Sequence, residues 1–546
     1  PSDGNILYAA FTGPDEQCAG MFRSDDRGAS WRPLRIPLSD LFGDTYMGGQ
    51  GRFNSALAVD PNNPDIVWAG GIDLYRTSDG GQSWKQMSNW YRFQKYAYVH
   101  ADNHVLLFHP VQSNEIFSAS DGGLFRSTDG GLHFEEMTAG MVTVQFHSGT
   151  PHPRTDLVIG GTIDNGTLTA FDGQRWTEVA GGDGGYTAID PVDPRYVYTE
   201  LYYLHFMKST DFGRTFQVSM IGIPRSSYFG TSDPVAFIAP FEMAPQDSKT
   251  LYAGTNRVYR SRDRAASWTP ISPNLAADGY ITAIGLSASD PATIYTGASK
   301  GRAQVTTNAG ASWRRIDAGL PERFITDIAV HPRDARRAVY TVSGFGSGHA
   351  QLTTDGGSTW RDISGGGTAA LPDAPASTVL WHPLRDSVIY VGTDVGLFVT
   401  TDQGATWSVD NDGIGNVIIA DLKLRGDGIL FAATHGRGMY RSSNSILDDG
   451  ASVPLTASIG SPYPNPVSPA EGHVVTIPYT LTREGRVRLR VTDNAGRRIL
   501  DRDCGNEGAG EYKVHLDAGG ISAGVAHIQL VVDNRNIGER RVVVLR

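Results

Sequence analysis

The stretch Thr77-Ser78-Asp79-Gly80-Gly81-Gln82-Ser83-Trp84 decides the architecture, because its pattern returns along most of the chain. The shared phrase is Ser/Thr-x-Asp-x-Gly-x-x-Trp/Phe. It reads Ser24 to Trp31, Thr77 to Trp84, Ser127 to Phe134, Ser209 to Phe216, Thr353 to Trp360 and Thr400 to Trp407. Two variants complete the series: Ser261 to Trp268 has Ala265 in the glycine slot, and Thr306 to Trp313 has Asn308 in the aspartate slot. The start-to-start spacings are 53, 50, 82, 52, 45, 47 and 47 residues. The long interval covers two ordinary ones, and the worn copy Asp172-Gly173-Gln174-Arg175-Trp176 lies inside it. One turn phrase per period of about 45–50 residues marks a repeat fold, and a β-propeller fits best.

The phrase has a mechanical reading. Asp or Asn accepts backbone N–H groups and fixes a turn. Gly supplies a backbone conformation that other residues resist, and the Trp or Phe is expected to return onto its own blade. Each period reads as four strands. Thr378-Val379-Leu380-Trp381, Val388-Ile389-Tyr390-Val391, Leu397-Phe398-Val399-Thr400 and the segment opened by Trp407 illustrate this. About ten repeats are counted, two of them incomplete. Pro1 occupies the proline of the Asp/His-Pro turn that follows an inner strand elsewhere, so the sequence reads as starting inside a repeat, with more upstream. On these motifs the chain resembles the Asp-box (BNR) proteins: sialidases, sortilin-type Vps10 domains, family 74 xyloglucanases and Ycf48-like assembly factors. The sortilin likeness implies one ten-bladed ring. The family 74 likeness implies a tandem of two smaller propellers, N-terminally incomplete. Those relatives include enzymes, receptors and assembly factors, so the phrase is nearly silent on activity.

A formal charge of −11, from 47 basic and 58 acidic residues, argues against a nucleic-acid partner. No apolar run reaches the length of a membrane span. Cys18 and Cys504 fall in different expected domains, and no zinc-type spacing exists.

The propeller is expected over residues 1–447 and a Pro-rich linker over 448–466. A β-sandwich over 467–546 follows from strict alternation: Val475, Ile477, Tyr479 and Leu481 share a face, as do Val487, Leu489 and Val491. Tyr463-Pro464-Asn465-Pro466, Tyr479-Thr480-Leu481, Asp493-Asn494-Ala495-Gly496-Arg497 and Ser522-Ala523-Gly524-Val525 resemble the type A C-terminal sorting domain of the type IX secretion system. Ala526 departs from it, standing where that family usually has an aromatic residue. The resemblance implies engagement of that machinery through residues 461–546, and a secreted or outer-surface location in a Bacteroidota-like bacterium.

If the repeated turns lie on one side of each blade, chemistry belongs on the other. Their aspartates are then scaffold, as are His109, His331 and His382 in the His-Pro turns. On the opposite side the loops carry Tyr98-Val99-His100-Ala101-Asp102-Asn103-His104. If extended, His100, Asp102 and His104 share a face and suit a divalent metal, although no cofactor is required. Asp121, Asp164, Asp183 and Asp394 fall on the same side as candidate acid and base for glycoside hydrolysis. The turns at Asp121 and Asp394 look like those holding catalytic aspartates in family 74 enzymes. Tyr46, Trp90, Tyr91, Phe93 and Tyr98, with His435 and Arg437, are candidate ligand contacts. A sialidase is rejected: Arg35-Ile36-Pro37 follows the first box instead of preceding it, and no arginine triad can be assigned. Three readings remain: a propeller binding an extracellular polysaccharide or surface protein, a secreted glycoside hydrolase, and a structural component of a surface assembly.

Overall fold

The computed structural model describes residues 3–545 except 93–94, 174, 228, 412, 444, 448–456, 469–473, 482–483, 494–496, 509 and 533–534. Phe93 and residues 448–456 of the expected linker therefore lie outside the described residues. The chain is all-β and forms two compact units, Pro1–Thr143 and Val144–Arg546. Among the described residues, ten antiparallel sheets precede the C-terminal sandwich, eight with four strands and two with three. In each, the strands lie in chain order.

The first unit holds three of these sheets. Ala56–Val59, Val67–Gly70, Leu74–Thr77 and Lys85–Gln86 make the middle one. The second unit holds seven, and these close on themselves. Its first sheet begins at Phe146–Pro151, and its last contains Ile418–Leu424, Leu430–His435 and Met439–Arg441. Gln145 bridges His435, and the Gly436 N–H donates to Val144 O at 3.1 Å. Arg425 Nη1 donates to Thr155 O at 3.1 Å, and Arg441 pairs with Asp156 at 2.9 Å. Ten repeats are present among the described residues, and seven of them complete a ring, which departs from the single ten-bladed ring.

Second strands such as Val197–Leu201, Ile294–Ala298, Ala338–Val342 and Ile389–Thr393 are buried throughout, because successive sheets stack on both of their faces. Fourth strands are mostly exposed and two residues long, as at Arg361–Asp362, except for Trp176–Ala180. Between third and fourth strands sits the repeated turn. Thr353 Oγ1 donates to Asp355 Oδ1 at 2.9 Å and accepts the Gly357 N–H at 2.8 Å. The Thr359 N–H and hydroxyl close the loop on the same carboxylate at 2.9 and 2.7 Å. Gly357 has φ +81°, and a Cβ there would lie 2.7 Å from Ile316, so both backbone and space call for glycine. Ala265 nevertheless takes that slot at φ +59° in its copy.

Trp31 bonds within its own turn, to Gly28 O at 3.1 Å, but in later copies the indole does not stay on its own blade. Trp360 Nε1 donates to Ile316 O at 2.6 Å, Trp407 to Ile363 O at 2.7 Å and Trp268 to Ser219 O at 2.8 Å. Each acceptor belongs to the preceding sheet.

The C-terminal sandwich pairs one sheet of Ala457–Ile459, Val474–Leu481 and Gly510–Asp517 with another of Arg498–Glu507, Gly485–Asp493, Gly524–Val532 and Arg535–Val544. The alternating residues named from sequence form its core. The strand Ala457–Ile459 falls inside the segment expected as linker. Cys18 and Cys504 are free thiols.

Candidate functional site

In the first unit, Asp121 lies in the tight turn between Ile116–Ser120 and Gly123–Ser127. His104, on the adjoining strand Asn103–Phe108, places Nε2 2.8 Å from Asp121 Oδ1, whose carboxylate accepts. Its Nδ1 lies 3.1 Å from Phe53 O, so both ring nitrogens are engaged. The ring of Phe53 meets that of His104 edge-on at 4.8 Å and is itself 55% exposed.

The segment before this strand is not extended. Asp102 has φ +63°, which turns its carboxylate away from the alternation expected for His100, Asp102 and His104. Those three therefore do not form one ligating face. Asp102 instead approaches Asp121, with carboxylate oxygens within 4.8 Å of each other. Asn54 Nδ2 donates to Asp102 Oδ1. Burial pushes the Asp102 carboxyl above its ordinary range, and the Asp121 charge adds to the shift, while the Asn54 bond and the two histidines oppose it. The pair can hold a proton between two carboxyl groups or share a divalent cation.

The neighbouring loop is fixed by Asp73, whose buried carboxylate accepts from Gln86, Ser88, Asn89 and the Trp90 N–H. Burial nonetheless lifts its pKa to about 7, with these donors pulling it down. Asp73 occupies the same second-to-third-strand turn as Asp121. Sequence reasoning missed it because the Ile72-Asp73-Leu74 turn lacks the following glycine. Beyond this anchor, Trp90 and Tyr91 lie with ring centroids 3.7 Å apart, and Phe42 joins Tyr91 at 6.2 Å. All three are exposed. Tyr98 is half-buried between the Arg92 guanidinium and the edge of Phe125. Tyr46 is a correction: at 1% exposure it packs in the core with Met47 and Tyr75 and is no ligand contact.

In the second unit, Asp164 and Asp183 brace one another, the Asp164 N–H donating to Asp183 Oδ1 at 2.8 Å. Asp164 has φ +57°, and the Asp183 carboxylate serves that turn by accepting its N–H. Asp394 is half-buried, and burial raises its pKa against the attraction of His435. The His435 ring lies 6.2 Å from that of His147, which burial and His435 lower to about 4. Arg437 is exposed at the adjoining hairpin.

The inner strands of the ring also carry charges that sequence reasoning passed over. Glu242, Asp327, Asp421 and Lys423 converge there, with Lys423 Nζ 3.5 Å from Asp421 and 3.9 Å from Glu242. Asp327 accepts from the Thr378 hydroxyl and the Val379 N–H, each at 2.9 Å. Burial raises Glu242 to about 7, Lys423 pulling down and the other two carboxylates pushing up. Burial disfavours the Lys423 ammonium, but the three carboxylates outweigh it and hold its pKa above the ordinary value. The signal was present as single acids within apolar inner strands, Phe241-Glu242-Met243 and Ile325-Thr326-Asp327-Ile328.

No family model matches the chain. The xyloglucanase of Hypocrea jecorina is 28% identical over 197 residues, covering 34% of this chain and 20% of that protein. A probable oligoxyloglucan-reducing end-specific xyloglucanase of Neosartorya fischeri is 30% identical over 147 residues, or 25% of this chain and 17% of the relative. The matches therefore span a fifth or less of those proteins. Among solved structures, a GH74 enzyme of Niastella koreensis aligns over 98% of this chain and 89% of its own, at 14% identity and a TM-score of 0.28. PorZ, a surface component of the type IX secretion system of Porphyromonas gingivalis, aligns over 98% and 81%, at 14% identity and a TM-score of 0.42. YCF48 bound to a D1 peptide aligns over 55% and 94%, at 14% identity and a TM-score of 0.39.

Proposed function

We propose that this protein is an extracellular β-propeller that binds a plant or microbial polysaccharide and cleaves its glycosidic bonds. The observation that carries the reading is the Asp102–Asp121 pair beside exposed Phe53. The two carboxyl groups have different surroundings, which is how acid and base roles separate. Asp102, raised by burial, is the proton donor to the leaving oxygen; Asp121, aligned by His104, is the nucleophile or base. Their separation, within 4.8 Å, lies nearer the roughly 5–5.5 Å of retaining glycosidases than the roughly 6.5–9.5 Å of inverting ones. The Phe42, Trp90 and Tyr91 rings supply faces for sugar stacking. The partial likeness to two xyloglucanases makes xyloglucan the first substrate to try.

The test is release of reducing ends from xyloglucan and a panel of other β-glucans. Asp121→Asn and Asp102→Asn are each expected to reduce the rate at least about a hundredfold, the scale of a lost acid or base. The first product should retain its anomeric configuration, and EDTA should leave the rate unchanged. Absence of reducing ends from every polysaccharide would remove the hydrolase. A binding-only propeller, engaging a glycan or surface protein through the same aromatic faces, is the second reading. It is favoured by the deep placement of Asp102, which is 8% exposed.

A further inference from the structure

The repeats can be compared position by position where one sheet meets the next. In the first unit, the Tyr8 hydroxyl crosses to Pro64 O of the following sheet at 2.8 Å. Arg23 Nη1 donates to the same hydroxyl at 2.8 Å and to Asp65, while Arg23 Nε donates to Asp25 at 2.7 Å. One guanidinium thus sits between two carboxylates and fills the seam. Tyr295 repeats the crossing bond, to Ala335 O at 2.8 Å.

Strand register makes Tyr252 the counterpart of Tyr8 and Arg260 that of Arg23. Both carboxylates have gone. Arg262 stands where Asp25 does, one residue beyond the turn serine. Ala292 stands where Asp65 does, as the matching bonds Gly80 N–H to Asp65 O and Ala309 N–H to Ala292 O establish. Arg260 Nη1 turns instead to Ala309 O at a long 3.3 Å, and Tyr252 makes no crossing bond among the described residues. The seam consequently opens into a cavity of about 320 Å³ lined by Tyr252, Arg260 and Arg262, with Leu286, Pro291 and Ile294 among its walls. The carboxylate at its edge, Asp247, is already engaged by the Thr250 hydroxyl at 2.8 Å and the Lys249 N–H at 3.1 Å.

We propose that this seam binds a small carboxylate-bearing molecule, which supplies the negative group that the chain itself supplies at the Tyr8 seam. Arginine matches a carboxylate with paired donors, and Arg260 with Arg262 offers two such forks. The Tyr252 hydroxyl is a further donor, and the apolar walls accept a ring or short chain attached to the acid. The volume lies at the lower end of roughly 300–1,000 Å³ for small-molecule sites, which favours a single-ring ligand. The site is on the side of the repeated turns, away from the loops carrying Asp394 and His435, and is independent of the hydrolase reading.

The experiment titrates the full-length protein with benzoate and with glucuronate, against the uncharged controls benzamide and glucose, followed by calorimetry. At least one acid is expected to bind saturably and its neutral control not to bind; which acid binds separates an aromatic from a sugar source. Arg260→Gln should weaken binding about tenfold or more, the scale of a lost charge-assisted pair. Ala292→Asp should abolish binding while leaving the melting temperature equal or higher, because it restores the in-chain partner of Arg260. Equal binding of acid and neutral control, no binding of either acid, or unchanged binding by Ala292→Asp would each overturn the proposal.

Discussion

Trp407 shows how one side chain ties two repeats together. Its indole is 5% exposed and its N–H reaches the Ile363 carbonyl at 2.7 Å. Trp407→Phe keeps most of the apolar contact but leaves that acceptor without its donor, which costs about 1–3 kcal/mol when the acceptor is buried. Urea titration should show a loss of this size in unfolding free energy. The aspartate of each turn works differently. Hydrogen bonds from Ser83, beginning with its hydroxyl, hold the Asp79 carboxylate at about 2, and those from Thr359 do the same for Asp355. A carboxylate with a depressed folded pKa stabilises the fold above its unfolded value and loses that contribution as pH falls toward 2. The residue pattern made this turn legible from sequence, because Ser/Thr, Asp and Gly each act locally. The destination of the indole was not legible, since its partner lies in the preceding repeat.

Among elements, the inner strands of the ring gather the least expected chemistry. Glu242, Asp327 and Asp421 share a single ammonium, Lys423. Glu242 is raised to about 7, so its folded form holds a proton that the unfolded chain releases near its ordinary 4.5. The stability this contributes is full below about 4.5 and is lost as pH rises through about 7. Glu242→Gln should therefore flatten the decline in melting temperature between those values, measured by calorimetry across pH. A variant that declines as steeply as the parent would assign the effect elsewhere. Here sequence reading fell short for a physical reason: period-2 alternation identifies a strand but does not say which strands meet around an axis. The same limit applied at Asp102. The spacing of His100, Asp102 and His104 is right for one face only in extended backbone, and a single left-handed residue redirected the carboxylate toward Asp121. Both halves of that pair lie in loops whose conformation long-range contacts determine.

For the whole molecule, repeat number was legible and repeat grouping was not. Ten periods appear in the sequence, yet only the bonds joining Val144–Pro151 to Ile418–Arg441 reveal that seven make a ring. The C-terminal sandwich was legible because alternation over two apolar faces is a local signal. Its proposed use is as an export address for the type IX machinery. Deleting residues 461–546 should leave the protein inside the producing cell, detected by fractionation; undiminished export would dismiss that role.

The ring closure also gives this unit a place to come apart. Four of the other seams carry an indole fastened to a carbonyl of the preceding repeat, a contact that added electrolyte barely touches. The closing seam adds to its backbone bonds and buried packing the contact of Arg425 with Thr155 O and the exposed pair Arg441–Asp156, and the latter is weakened by screening. Salt therefore loosens this seam through the Arg441–Asp156 pair, as it does the seam crossed by Arg333 and Asp386. Raised salt should speed amide exchange in Phe146–Pro151 and Leu430–His435 before it does so in Ile294–Ala298. A structure built from near-equivalent parts thereby acquires an order of failure.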